Sequence, residues 1–396
     1  MRCLLFVLVG LLVVACHPPA PPPLDAEGRA LIQASQQYAA SGDFAGALAV
    51  ADSAVTMYPQ SYEALVQLGN INFSLDRYAR AEGAFSEALA YAPEDGGIWI
   101  NLGNAHFRQQ ELGEALVAFR TATRYLDTPH PWLAVAEIQD RLNQPDSARV
   151  ALHTALRIDS TFVPARTRLA VLEETEGNLT VALAEAKRAA DLAASNLDAM
   201  YQLGSLHLRL GDAEAAAPLL AGVVQQQPWN FSALFNLGQA LQRLGQAEDA
   251  QRILARAADV RDRASGVERL EMESRAQPDD LRLRLLHAEG LRELGRLAEA
   301  LAVYQVAAAS RPDDLGIRHN IATLRLNTGD TTAARVAYEA IVAKDSTYVD
   351  ALVNLALYFN QQGERSKARR YLQQAYRHGG PDHPSIKRLQ AAAGRD

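Results

Sequence analysis

After position 16 the 396-residue chain has no cysteine, because Cys3 and Cys16 are its only two. That excludes disulfides, thiolate metal ligands and cysteine nucleophiles from the body. Lysine is scarce as well: only Lys187, Lys344, Lys367 and Lys387 stand among 39 basic residues. Against 46 acidic residues the net charge is −7, so no basic excess favours a polyanion and nucleic acid is not an expected partner. The apolar run Leu4 to Ala15 spans twelve positions, well short of the roughly 20 that cross a bilayer as a helix. Signatures of catalysis are missing too: there is no Gly-x-Ser-x-Gly, Ser-x-x-Lys, Walker loop, Gly-x-Gly-x-x-Gly or His-Glu-x-x-His. The nine histidines are scattered. The expectation is a non-enzymatic protein with no cofactor, no metal and no small-molecule substrate. What the chain does have is 48% hydrophobic and 21% charged residues, a globular composition with ample material for a core.

Met1 and Arg2 followed by the apolar run have the shape of a secretory signal peptide over residues 1–15. The run closes in Val13-Val14-Ala15-Cys16, which resembles the lipobox of bacterial lipoproteins. That resemblance implies cleavage before Cys16, lipidation of Cys16, and a mature protein anchored to a membrane without spanning it. His17 stands where the inner-membrane retention signal of such proteins has aspartate, so the periplasmic face of the outer membrane is the favoured location. The prolines between His17 and Leu24 impose polyproline II at about 3.1 Å per residue. Residues 16–27 therefore read as an anchor and a stiff spacer.

From Gly28 onward one pattern repeats ten times. Units begin at Gly28, Tyr62, Gly96, Pro129, Val163, Leu197, Phe231, Leu281, Leu315 and Val349, in steps of 33 or 34 residues and one step of 50. The eighth place of each unit is Ser, Gly or Ala, and the twentieth is alanine in all ten, from Ala47 to Ala368. Small residues at both places predict a close crossing of two helices. Proline closes five units, at Pro59, Pro93, Pro228, Pro278 and Pro312, where it ends one helix. Seven units carry glycine between their helices, with Asp43, Asn178, Asp212 and Asp330 next in line as N-caps. This pattern resembles the tetratricopeptide repeat over about residues 28–380. The resemblance implies an all-α, right-handed solenoid of about ten helix-turn-helix units with a concave inner face. Units 1–7 take residues 28–262 and units 8–10 take 281–380, with a helical extension at 263–280 and a C-terminal cap and tail at 381–396. The extra segment, roughly Asp259 to Arg275, has helical spacing and reads as a lengthened second helix of unit 7, with Ser265-Gly266 its candidate break.

Several side chains have bland readings in this frame. Trp99 and Trp132 read as packing residues, His106 and His207 as core or groove-edge rings, and Glu173, Glu174 and Glu176 as a solvated face. The sixth place is different, reading Gln33, Gln67, Asn101, Ala134, Arg168, Gln202, Asn236, Leu286, Asn320 and Asn354. Seven of these ten are amides, and the series resembles the asparagine ladder in the repeat region of O-linked N-acetylglucosamine transferases. A carboxamide both donates to a peptide carbonyl and accepts from a peptide N–H, so the resemblance implies a groove that holds extended peptide by its backbone. Neighbouring places add Asn70, Asn104, Tyr201, Phe235, Gln239 and His319. The lysine and arginine clamp of chaperone-binding relatives is not reproduced. The expectation is a membrane-anchored scaffold for extended segments of envelope proteins, serving pilus or secretin, outer-membrane protein or cell-wall machinery. The alternative is an accessory lipoprotein of a polysaccharide synthesis or export machine.

Overall fold

A computed structural model describes residues 24–393. The expected signal peptide, Cys16 and most of the proline-rich spacer lie outside the described residues. Within them there are 21 helices and no strand. Unit 1 is α1 (Ala26–Ala40) and α2 (Phe44–Met57), unit 2 is α3 (Tyr62–Ser74) and α4 (Tyr78–Tyr91), and unit 3 is α5 (Gly96–Arg108) and α6 (Leu112–Tyr125). There follow α7 (Pro129–Arg141) with α8 (Pro145–Ile158), α9 (Val163–Thr175) with α10 (Leu179–Leu192), and α11 (Leu197–Arg209) with α12 (Ala213–Gln226). Unit 7 pairs α13 (Phe231–Arg243) with the 30-residue α14 (Ala247–Ala276). The last three units are α15 (Leu281–Leu294) with α16 (Leu297–Ser310), α17 (Leu315–Asn327) with α18 (Thr331–Lys344), and α19 (Val349–Gln361) with α20 (Arg365–Gly379). A terminal α21 (Pro384–Ala393) follows. No helix among the described residues is long and apolar enough to cross a membrane.

Helices of 13 or 14 residues are marginal alone in water, so packing between neighbours must hold them. The two small places supply that packing. All ten alanines of the twentieth place are buried, as are all ten residues of the eighth. A Cβ built on Gly69 would stand 2.4 Å from the Phe85 ring, and one on Gly103 would stand 2.9 Å from Phe119. Aromatic rings of second helices thus lie directly on first-helix backbone. Asp43, Ser61, Asp95, Asn196, Asp212, Asn230, Asp280, Asp314 and Asp330 each accept a backbone N–H at a helix start. Asn178 sits at the expected N-cap, but its amide instead donates to Glu173 Oε2 at 2.7 Å.

The solenoid curves because consecutive first helices touch one another (α1 with α3, α3 with α5, α7 with α9, α9 with α11, α11 with α13) more than consecutive second helices do. First helices therefore line the inner face. The lengthened α14 is unbroken at Ser265-Gly266, where Ser265 Oγ donates back to the Arg261 carbonyl at 3.0 Å. At 1.5 Å per residue its 30 residues reach about 45 Å, roughly twice a normal second helix. Beyond it, the solenoid meets itself. Val306 of α16 is buried among Ala47, Ala51, Ile71 and Leu75 of units 1 and 2, and the Arg325 guanidinium donates to the Ser41 carbonyl. At the other end Ile386 of α21 is fully buried against Leu352, Val353 and Ala375, while Lys387 and Arg388 face water. Solenoid ends need such a polar cover.

Candidate peptide-binding face

The sixth place faces inward, and six of its seven amides also meet the unit before. Gln67 Nε2 donates to Ser35 Oγ at 3.0 Å, Asn101 Nδ2 to Asn70 Oδ1 at 3.2 Å, and Asn236 Nδ2 to Ser205 Oγ at 3.4 Å. Gln202 Nε2 donates to Glu174 Oε2 at 2.6 Å, and Asn354 Nδ2 lies 3.2 Å from His319 Nε2. Asn320 stands beside Tyr304 and His319. Gln67 and Gln202 are each only 5% exposed, so their amides chiefly tie neighbouring first helices together. Gln33 is exposed, and Asn101, Asn236, Asn320 and Asn354 are half-buried.

The structure gathers part of the expected series in one place. A hollow of about 730 Å³ opens on the inner face of units 1–3, lined by Gln33, Gln67, Asn70 and Asn101. It adjoins a smaller one of about 250 Å³ bounded by Asn70, Asn101, Asn104 and Phe73. Its floor is apolar, with Ile32, Val66 and Ile100 at the fifth place of successive units and Ile98 beside them. Gln36 joins Asn70 and Asn104 at the ninth place. These floor residues and Gln36 were not singled out from sequence, although the repetition of branched apolar side chains at place five was there to find. Glu63 and Asp95 stand at the mouth with Arg29. The Glu63 carboxylate first, then burial and Asp95, push the Tyr62 hydroxyl pKa up. Further along the face, Phe235 is 41% exposed with its ring 5.9 Å from Phe231, while Tyr201 and Gln239 are half-buried.

One other expectation needs revision. Glu173 is not on a solvated face. It is 4% exposed and accepts from Arg149 Nε at 2.5 Å, while Glu174 pairs with Arg209 at 3.1 Å. His106 and His207 are half-buried rings whose Nδ1 atoms meet the acid opening the next helix, Glu111 at 2.7 Å and Asp212 at 3.2 Å. Glu82 brings a third ligand atom near the first pair, all within 4.8 Å. Leu183 occupies the place of Glu82 beside the second pair, so the contact common to both units is one that braces the turn.

Hairpins stacked side by side around a shared inner face define an α-solenoid, a class in which a repeated surface does the binding. Within it, the chain belongs to the tetratricopeptide repeat family. Models of that repeat match residues 32–90, 73–125, 207–270 and 319–384, more than half the chain. This repeat fold is in general a protein-interaction scaffold. Among solved structures, the chain is similar to PilW, a widely conserved type IV pilus biogenesis factor, at 21% identity over 53% of this chain and 98% of that one, with a TM-score of 0.48. PilF of Pseudomonas aeruginosa is 18% identical over 52% of this chain and 94% of its own, with a TM-score of 0.46. YrrB, a repeat protein with an unusual peptide-binding site, is 20% identical over 46% and 95%, with a TM-score of 0.37. A curated relative, the general transcriptional corepressor ssn6 of Schizosaccharomyces pombe, is 29% identical over 119 residues, 29% of this chain. The match spans only 11% of the corepressor's length.

Proposed function

We propose that this protein is a lipid-anchored, non-enzymatic scaffold that holds extended segments of cell-envelope proteins on the inner face of its first three units, assisting assembly of an envelope complex. The observation that carries this reading is the convergence of Gln33, Asn70, Asn101 and Asn104 over an apolar floor. Amides supply both donors and acceptors for a peptide backbone, and Ile32, Val66 and Ile98 offer seats for alternate apolar side chains. Anchoring through Cys16 confines the groove to a membrane surface, where high local concentration makes modest affinity sufficient.

The test is a crosslinked pull-down from cell envelopes with the wild type and with Asn70, Asn101 and Asn104 all changed to alanine, helicity being checked by circular dichroism. Partner capture is expected to disappear in the triple variant and to persist when Asn320 and Asn354 are changed instead. Undiminished capture by the triple variant refutes the groove reading. Separately, Cys16→Ser is expected to release the protein from the membrane fraction.

A further inference from the structure

Where unit 8 returns to units 1 and 2, the seam encloses a cavity of about 280 Å³ with Arg77, Arg80 and Arg284 in its lining. Arg77 and Arg80 open the second helix of unit 2, whereas Arg284 belongs to α15, more than 200 positions later in the chain. Arg284 is only 8% exposed, and its guanidinium is held by one backbone carbonyl, that of Pro278, at 3.0 Å. None of the three has a carboxylate oxygen within 4.0 Å among the described residues. The nearby aspartates offset them only in part: Asp279 and Asp52 act on Arg77 from a distance, without pairing with it. Asp76 is taken up by Arg108, at 3.6 Å, and by the Tyr78 hydroxyl, while Asp279 stands exposed at the rim.

A buried guanidinium without a carboxylate is costly unless something else supplies the negative charge. The crowding is felt by its neighbour: burial, then the charges of Arg80 and Arg284, push the Arg77 pKa down. Five N–H donors in a planar fork suit each guanidinium to oxyanions. We propose that the seam is a composite oxyanion site, in which Arg77 and Arg80 of unit 2 and Arg284 of unit 8 together hold a phosphate or carboxylate group. Because the two halves come from opposite ends of the superhelical turn, an anion bound there also locks the turn closed. This inference is independent of the inner-face reading.

The experiment is calorimetric titration of the full-length protein with inorganic phosphate and, separately, with acetate, at constant ionic strength. Saturable binding of phosphate alone assigns the site to phosphate groups, and saturation by both assigns it to carboxylates as well. Arg80→Gln, at an exposed position, is expected to weaken binding about tenfold or more, as is Arg284→Gln, since each deletes charge-assisted hydrogen bonds. Val306→Gln leaves all three arginines in place and adds no charge, yet is expected to abolish binding by parting the seam. No saturable binding by either anion, or binding unchanged in Arg80→Gln and Arg284→Gln, overturns the proposal. Undiminished binding by Val306→Gln in a scattering profile that shows the seam open overturns its composite nature.

Discussion

Between its two helices every unit passes through left-handed backbone, and the ten units do so with different residues. Seven use glycine, with φ between 76° and 92°, whereas units 2, 3 and 4 use Asp76 (58°), Gln110 (65°) and Asn143 (56°). A residue with a Cβ is disfavoured there by about 1–2 kcal/mol. Glycine carries an entropic cost of about 0.5–1 kcal/mol, so the net gain from replacing glutamine is about 0.5–1 kcal/mol. Asparagine and aspartate tolerate this region better, since their short side chains bond locally. Gln110→Gly is therefore expected to stabilise, Asn143→Gly to change little, and Gly211→Gln to cost about 1 kcal/mol. The last substitution isolates the backbone term, because a Cβ on Gly211 would meet nothing within 4 Å. Urea unfolding followed by far-UV circular dichroism measures all three, read as midpoint shifts at unchanged slope. For a cooperative block of 150–250 residues, 1 kcal/mol corresponds to roughly 2–4 °C in Tm. A Gly211→Gln midpoint equal to wild type, or a lowered one for Gln110→Gly, would refute the reasoning.

Two further outcomes are expected. Ala115→Leu inserts bulk at a fully buried helix crossing and should cost about 1–3 kcal/mol; an unchanged midpoint would show that the crossing has slack. Burial pushes the Glu173 carboxyl up, but hydrogen bonds from Arg149 and Asn178 outweigh it and hold the pKa below the usual glutamate value. A carboxylate depressed in the folded state lends stability above its unfolded pKa, about 4.3, and withdraws it as pH falls through the folded value. Glu173→Gln should accordingly lower the unfolding free energy at pH 7, read from urea titration, by about 1–3 kcal/mol, with the gap to wild type closing below about pH 4. A gap that is constant with pH would assign the loss to packing rather than charge.

Nine of the ten unit starts read from the sequence coincide with the first residue of a helix, and the exception, α1, begins two residues earlier because Asp25 caps it. Repetition explains that accuracy: a helix start that is ambiguous once is fixed when Tyr62, Gly96 and Leu197 fall in the same frame. Place-specific contacts escaped for the same reason. Nothing in the pattern of one unit says that Val306 will meet Ala47, since those residues belong to units seven apart. Glu173 read as solvated because its partner, Arg149, comes from the helix before it and not from the local run of acids. The inner-face series was legible as a list of amides, but not that Gln202 would turn to Glu174 while Gln33, Asn70 and Asn101 converged on one hollow. That distinction depends on the residue each amide meets one unit earlier.

In a repeat array each unit touches only its neighbours, so the chain can assemble by short steps. The seam breaks that rule. Ser41 and Arg325 meet across 284 positions, and until the intervening units are stacked the contact must close a long loop against its entropy. The seam therefore forms last, after a nearly complete solenoid already exists with its Val306 face open. During that interval the chain is an open spiral, and only the finished one is closed at the seam. Refolding should accordingly show helix formation ahead of compaction, with the slow step assigned to closure by its loss in Val306→Gln.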